Sequence, residues 1–304
     1  MADEPAPQQV APTVEVCYRH PDRPTGVHCT RCERPICPDC MIEAPVGYQC
    51  PECVAEARRE FRKGPGRPLR GGLDVTKILL VAILAAFALE AVVGGPRAIL
   101  DRPEPKALFD LGAMQPFAIA DGQYWRLFTA MFLHLGILHI AFNAYALWLF
   151  GRMVERDYGR GQMLLIYVVS GFLASVASYT WADPRTLSVG ASGAIFGIFG
   201  AFIVYNYRRR HTAMGNANLR SAVMLIALNT LLAFGFRGID WRAHLGGLVA
   251  GLACGLIAEG WGSQGQRRAI RVVGYLGLLA VGTALVVWRT NALREAYGSI
   301  FGIG

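Results

Sequence analysis

The chain has 304 residues, 53% hydrophobic and only 17% charged, and almost all of the apolar bias lies beyond residue 75. That division excludes a wholly soluble protein and indicates a membrane protein preceded by a soluble front end. The net charge of +8 does not imply a nucleic-acid partner, because most of the basic excess borders the candidate membrane spans.

Residues 1–16 (MADEPAPQQVAPTVEV) are polar, acidic and proline-bearing. They read as a disordered tail, without the basic start, apolar run and small-residue cleavage site of a secretory signal. Seven of the eight cysteines follow between residues 17 and 53, as Cys17-x2-His20, Cys29-x2-Cys32, Cys37-x2-Cys40 and Cys50-x2-Cys53. A two-residue gap lets both side chains of a pair converge on one metal, and eight donors are the count for two tetrahedral zinc ions. Seven cysteines pair poorly as disulfides, and thiols stay reduced in a cytosolic domain. The spacing at Cys17 favours His20 as the eighth ligand, with His28 as the fallback.

Residues 17–56 resemble the B-box class of small zinc domains. The resemblance implies a crossed arrangement, in which the first and third pairs share one ion and the second and fourth the other. The role of zinc is then structural, and none is expected in catalysis. So short a segment has little apolar core, and metal would supply most of its folding free energy, on the order of 10 kcal/mol per site. A cytoplasmic protein partner, or regulation of the membrane part, is the expected use of this domain.

A linker at 57–75 carries Arg58, Arg59, Arg62, Lys63, Arg67 and Arg70, broken by proline and glycine, and would lie against anionic lipid heads. Apolar stretches suited to spanning follow near 76–95, 129–150, 162–181, 191–207, 221–236, 243–259 and 271–288, seven helices in a domain at 76–290, with a tail at 291–304. If the amino terminus is cytoplasmic, the inner connections hold Arg152, Arg156 and Arg160, then Arg208, Arg209, Arg210 and Arg220, then Arg267, Arg268 and Arg271. The positive-inside bias supports that orientation. Cys254, alone in the sixth span, reads as a small packing residue.

On this topology the second, fourth and sixth spans all run inward from the outer surface. Ser192 opens the fourth and His244 the sixth, while His139 and Asn143 lie about two turns into the second and share one face at i, i+4. The four therefore come to a similar depth. Polar groups in a bilayer call for partners, and the natural partner of Ser192 is His244. Gly193 and Gly197, and Gly247, Gly251 and Gly255, place small residues every four positions beside each, a stripe that lets two helices pack closely in lipid. Glu90, inside the first span, calls for a polar partner or the loop interior and has no functional assignment. Asp240, four residues before His244, reads as a solvated loop charge.

Gly190-Ala191-Ser192-Gly193-Ala194-Ile195-Phe196-Gly197, Ala243-His244-Leu245-Gly246-Gly247, His134-x4-His139-x3-Asn143 and Trp125-Arg126 together resemble the rhomboid intramembrane serine proteases. The likeness covers residues 73 to about 290. It implies an all-α polytopic membrane protein with a six-helix core plus one C-terminal transmembrane helix, here preceded by the small double-zinc domain. Ser192 is implied as nucleophile and His244 as general base, with no carboxylate third member. The Asn143 amide, the His139 ring and the Ser192 backbone N–H are implied as oxyanion donors. His134 matches a position that holds water and structure near the site, and Trp125-Arg126 reads as an interfacial anchor. Phe196 stands where some members have a tyrosine that packs on the histidine; it keeps the stacking and loses a hydrogen bond. The reaction implied is hydrolysis of transmembrane protein substrates in the bilayer of a bacterial plasma (inner) membrane. The alternative is an inactive rhomboid-like protein that binds membrane clients.

Overall fold

The computed structural model describes residues 15–44, 46–63, 74–95, 99, 103–235 and 239–301, with backbone alone at 60–63, 228–235 and 300–301. Most of the expected amino-terminal tail, the linker from 64 to 73 and the last residues of the carboxyl-terminal tail lie outside the described residues. The chain divides into two units, Met1–Pro68 and Leu69–Gly304.

In the first unit two short antiparallel strands, β1 (Ile42–Glu43) and β2 (Tyr48–Gln49), precede helix α1 (Pro51–Lys63). The helix occupies residues 57–63, expected as linker, because a helix-breaking residue first appears at Gly64. The buried core of this unit is Ile36 and six cysteines. So small an apolar core cannot by itself offset the conformational entropy of ordering the chain.

The second unit is all-α and polytopic. Helix α2 (Val75–Gly94) is followed by three short helices, α3 (Pro105–Asp110), α4 (Pro116–Ala120) and α5 (Arg126–Thr129), each of the first two begun by a proline that needs no amide partner there. Helices α6 (Ile137–Tyr158, with one π-helical turn at Leu147–Gly151), α7 (Arg160–Trp181), α8 (Ser192–Arg208), α9 (Ala213–Gly235), α10 (Trp241–Glu259) and α11 (Gln264–Phe301) complete it. Among the described residues α2, α6, α7, α10 and α11 are long and apolar enough to cross a membrane. Helix α8 has 17 residues and is buried along nearly its whole length, so its neighbours, not lipid, are its solvent.

Several boundaries differ from the sequence reading: α6 runs on to Tyr158 rather than ending near 150, α9 begins at Ala213 rather than near 221, and α11 begins at Gln264 rather than near 271. The second span begins at Ile137 rather than near 129, because Ala130–Phe132 forms a 3-10 turn and Gly136 takes φ 86°, a conformation open to glycine. His139 is therefore a first-turn residue, not one two turns deep. At the other end α11 continues through the expected tail to Phe301. At 38 residues it is about 57 Å long, roughly twice the hydrocarbon thickness. One face of its later turns packs on protein: Leu293 lies in the cluster of Met114, Ile119 and Leu127, Arg294 Nε donates to the Ala120 carbonyl at 2.9 Å, and the Phe117 and Tyr297 rings meet edge to face at 5.4 Å.

Helices α8 and α10 approach backbone to backbone through their glycines. A Cβ built on Gly247 would lie 2.0 Å from the Gly193 carbonyl oxygen, and one on Gly251 2.0 Å from that of Gly197. At these two positions a side chain would have to push the helix backbones apart, and the seam carries Ser192 at one helix start and His244 at the other. Cys254 is fully buried in the same core.

Candidate functional site

The Ser192 hydroxyl and His244 Nε2 lie 2.8 Å apart, joining the first residue of α8 to the first turn of α10. The His244 ring stacks on Phe196, one turn along α8, with centroids 4.3 Å apart and planes 15° from parallel. That contact fixes the ring plane while Nε2 faces the hydroxyl. His244 Nδ1 is buried without a partner among the described residues.

Asp240 is not a solvated loop charge. Its carboxylate accepts the Ala243 backbone N–H at 3.2 Å, capping α10, and accepts the hydroxyls of Ser188 at 2.7 Å and of Ser178. One side chain thus ties the start of α10 to α7 and to the loop that leads into Ser192. The same loop is held by paired Met114–Ser188 backbone bonds of 3.0 Å and by the Gly190 N–H on the Ala130 carbonyl at 2.9 Å.

His139 Nδ1 accepts the Leu135 backbone N–H at 3.1 Å. In a neutral ring the proton is then on Nε2, which becomes a donor. A Cβ on Gly190 would sit 3.1 Å from His139 Nε2 and 3.3 Å from Ser192 Oγ, so both atoms border the same small space, kept open by a glycine at φ 141°. Asn143, on the same face one turn further along α6, is buried and its amide nitrogen has no protein acceptor among the described residues. His134 is fully buried, donates from Nδ1 to the Phe132 carbonyl at 3.1 Å, and meets the His139 ring at 5.1 Å.

Arg126 is not an interfacial anchor. It is 3% exposed, and its guanidinium donates to the carbonyls of Phe109 (2.6 Å) and Ala113 (3.0 Å) and to the Gln123 side chain (2.8 Å). The guanidinium closes the loop between α3 and α5 by tying the Phe109 carbonyl at the end of α3 and the Ala113 carbonyl to the first residue of α5. Trp125 beside it remains exposed.

In the first unit the eight sequence-predicted ligands form two groups, Cys17, His20, Cys37 and Cys40, and Cys29, Cys32, Cys50 and Cys53, each with donor atoms within 4.8 Å of one another. The grouping is the crossed one. A tetrahedral zinc with thiolates at about 2.3 Å places its ligand atoms about 3.8 Å apart. Cys32 Sγ and Cys50 Sγ are 3.8 Å apart, and His20 Nδ1 lies 3.3, 3.4 and 3.8 Å from the sulfurs of Cys37, Cys40 and Cys17. The donor set therefore fits such an ion. His28 is elsewhere, paired with Glu15 at 2.6 Å on the surface. Burial opposes a thiolate at Cys17, but the backbone N–H groups around it outweigh that and lower the thiol to about 6; Cys29 behaves likewise.

A multi-helix membrane unit with a half-buried serine–histidine pair at adjoining helix starts is the architecture of a polytopic membrane protein. The Rhomboid domain family matches residues 121–260. The chain is 36% identical over 231 residues to Rhomboid protease GluP of Bacillus subtilis (strain 168), covering 74% of this chain and 43% of that one. It is 31% identical over 221 residues to Rhomboid protease AarA of Providencia stuartii, covering 65% of this chain and 77% of that one, and 35% identical over 133 residues to Putative rhomboid protease YdcA of Bacillus subtilis (strain 168), covering 44% and 66%. The chain spans about half the length of several of the curated relatives it matches. The chain belongs to the rhomboid family and is an integral, multi-pass membrane protein.

Proposed function

We propose that the protein is an intramembrane serine endopeptidase that hydrolyses peptide bonds of transmembrane substrates through a Ser192–His244 dyad. The observation that carries this reading is the 2.8 Å contact between Ser192 Oγ and His244 Nε2. In the reaction His244 Nε2 takes the hydroxyl proton as Ser192 Oγ attacks the scissile carbonyl, and then gives that proton to the leaving amine. Water repeats the sequence on the acyl-enzyme and regenerates the serine. The developing oxyanion meets the His139 Nε2–H, the Asn143 amide and the Ser192 backbone N–H, each such donor being worth roughly 3 kcal/mol in mutational tests of comparable sites.

The eight cysteine and histidine donors of the first unit would hold two structural zinc ions, with the amino terminus on the cytoplasmic side of a bacterial plasma membrane, as the arginine distribution favours. A cytoplasmic protein would be its partner.

Purified protein in detergent should cleave a membrane-spanning reporter and be labelled at Ser192 by a fluorophosphonate. Ser192→Ala and His244→Ala should abolish both. Cleavage by either variant at the parent rate would overturn the dyad, and folded parent protein that neither cuts nor labels would favour the inactive client-binding reading.

A further inference from the structure

Glu90 lies near the outer end of α2, is 1% exposed, and belongs neither to the dyad nor to the proposed oxyanion donors. A carboxylate at such a position is costly and persists for a reason. Its two oxygens lie 3.0 and 3.2 Å from the backbone nitrogen of His134, forty-four residues away in sequence. The next backbone N–H along the chain, that of Leu135, is the one that bonds His139 Nδ1 at 3.1 Å. Between them His134 is held on its other side by its own Nδ1 bond to the Phe132 carbonyl.

We infer that Glu90 is a positioning residue: by anchoring the His134 N–H on α2 it holds the Leu135 N–H against His139 Nδ1, and so keeps the His139 proton on Nε2, where it faces the reacting oxygen. This rests on the reading of His139 as an oxyanion donor. Residues 133–135 precede the N-cap of α6, and the first helical bond, from the Ile140 N–H to the Gly136 carbonyl, does not reach them. Without the α2 anchor the Leu135 N–H can turn away and the ring can take its proton on Nδ1. Nε2 would then present a lone pair to the oxyanion. The task needs an oxygen acceptor and not a charge, so a glutamine carbonyl should perform it and a leucine should not.

The test uses the full-length protein in detergent with a transmembrane reporter, comparing Glu90→Gln, Glu90→Leu and His139→Ala. Glu90→Leu should lower kcat by about 10- to 100-fold with KM unchanged, short of the 10²–10³ lost when a donor is removed outright. Glu90→Gln should restore the parent kcat. Nitrogen NMR of histidine-labelled protein should show His139 protonated at Nε2 in the parent and in Glu90→Gln, and mixed tautomers in Glu90→Leu. If His139→Ala is slow while Glu90→Leu keeps the parent kcat, or Glu90→Gln is as slow as Glu90→Leu, the Glu90 inference fails and the oxyanion reading stands. If His139→Ala cuts like the parent, the oxyanion reading fails and this inference with it. A parent His139 protonated at Nδ1 overturns the inference without any variant.

Discussion

Replacing Gly247 by alanine tests whether the α8–α10 seam sets the distance between Ser192 and His244. The added Cβ would fall 2.0 Å from the Gly193 carbonyl oxygen and 2.8 Å from its carbon, where a relaxed C···O contact is about 3.3 Å. Both are backbone atoms in helices, so no side chain can swing aside and the helices must part by about 1.3 Å. His244 is one turn before Gly247 and Ser192 adjoins Gly193, so most of that displacement appears in the 2.8 Å Oγ–Nε2 contact, which at about 4 Å is no longer a hydrogen bond. Misplacement of reacting groups by about 1 Å costs on the order of 10²-fold in rate, and overpacking costs about 1–3 kcal/mol in stability. Reporter cleavage and fluorophosphonate labelling should both fall by about that rate factor while the protein still purifies as a folded monodisperse species. Gly277→Ala, in α11 with nothing within 4 Å of the new Cβ, should be neutral in both assays. Gly247→Ala cutting at the parent rate would refute the argument that this contact is held by the seam.

Asp240→Ala removes the α10 cap and leaves the Ser178 and Ser188 hydroxyls without their acceptor, costing about 1 kcal/mol for the cap and about 1–3 kcal/mol for unmet buried groups; thermal unfolding should show that loss together with slower cleavage, and Asp240→Asn, which keeps an acceptor oxygen, should lose less. Metal analysis of the full chain should find two zinc ions, and removing them with a strong chelator should make residues 15–63 sensitive to limited proteolysis while reporter cleavage by the membrane unit in detergent persists. Undiminished protease resistance after complete zinc removal would contradict a metal-held core.

The two candidate metal-ligand clusters were legible because a C-x2-C pair is complete within four residues, and the crossed grouping came from resemblance, not spacing. Ser192 and His244 were legible because each is a lone polar residue beside a glycine stripe, and the stripe is the packing surface that joins them. The start of α6 was misread because Thr129–Phe132 is as apolar as a span, yet it is the end of α5 and a 3-10 turn packed against protein; hydropathy cannot distinguish burial in lipid from burial in protein. The end of α11 was misread for the converse reason. Arg289, Arg294 and Glu295 interrupt the apolar run and look like an interface, but Arg289 donates to the Tyr179 and Ala182 carbonyls and Arg294 to that of Ala120, partners more than a hundred residues away.

The acidic residues that sequence left without a role share one physical explanation. Helix starts and the chain just before them leave backbone N–H groups unsatisfied, and in a bilayer no water can meet them. Glu155, fully buried, accepts the N–H groups of Val75 and Thr76 at 2.8 Å each and the Thr76 hydroxyl at 2.6 Å, closing the start of α2 from eighty residues away. Asp240 does the same for α10 and Glu90 for the chain entering α6. Each carboxylate is a cap supplied to a membrane segment, and two of the three segments so capped carry His244 and His139. Their charge made them look like candidates for the chemistry or for the solvent, whereas each accepts backbone N–H groups at a helix start or in the chain leading into one.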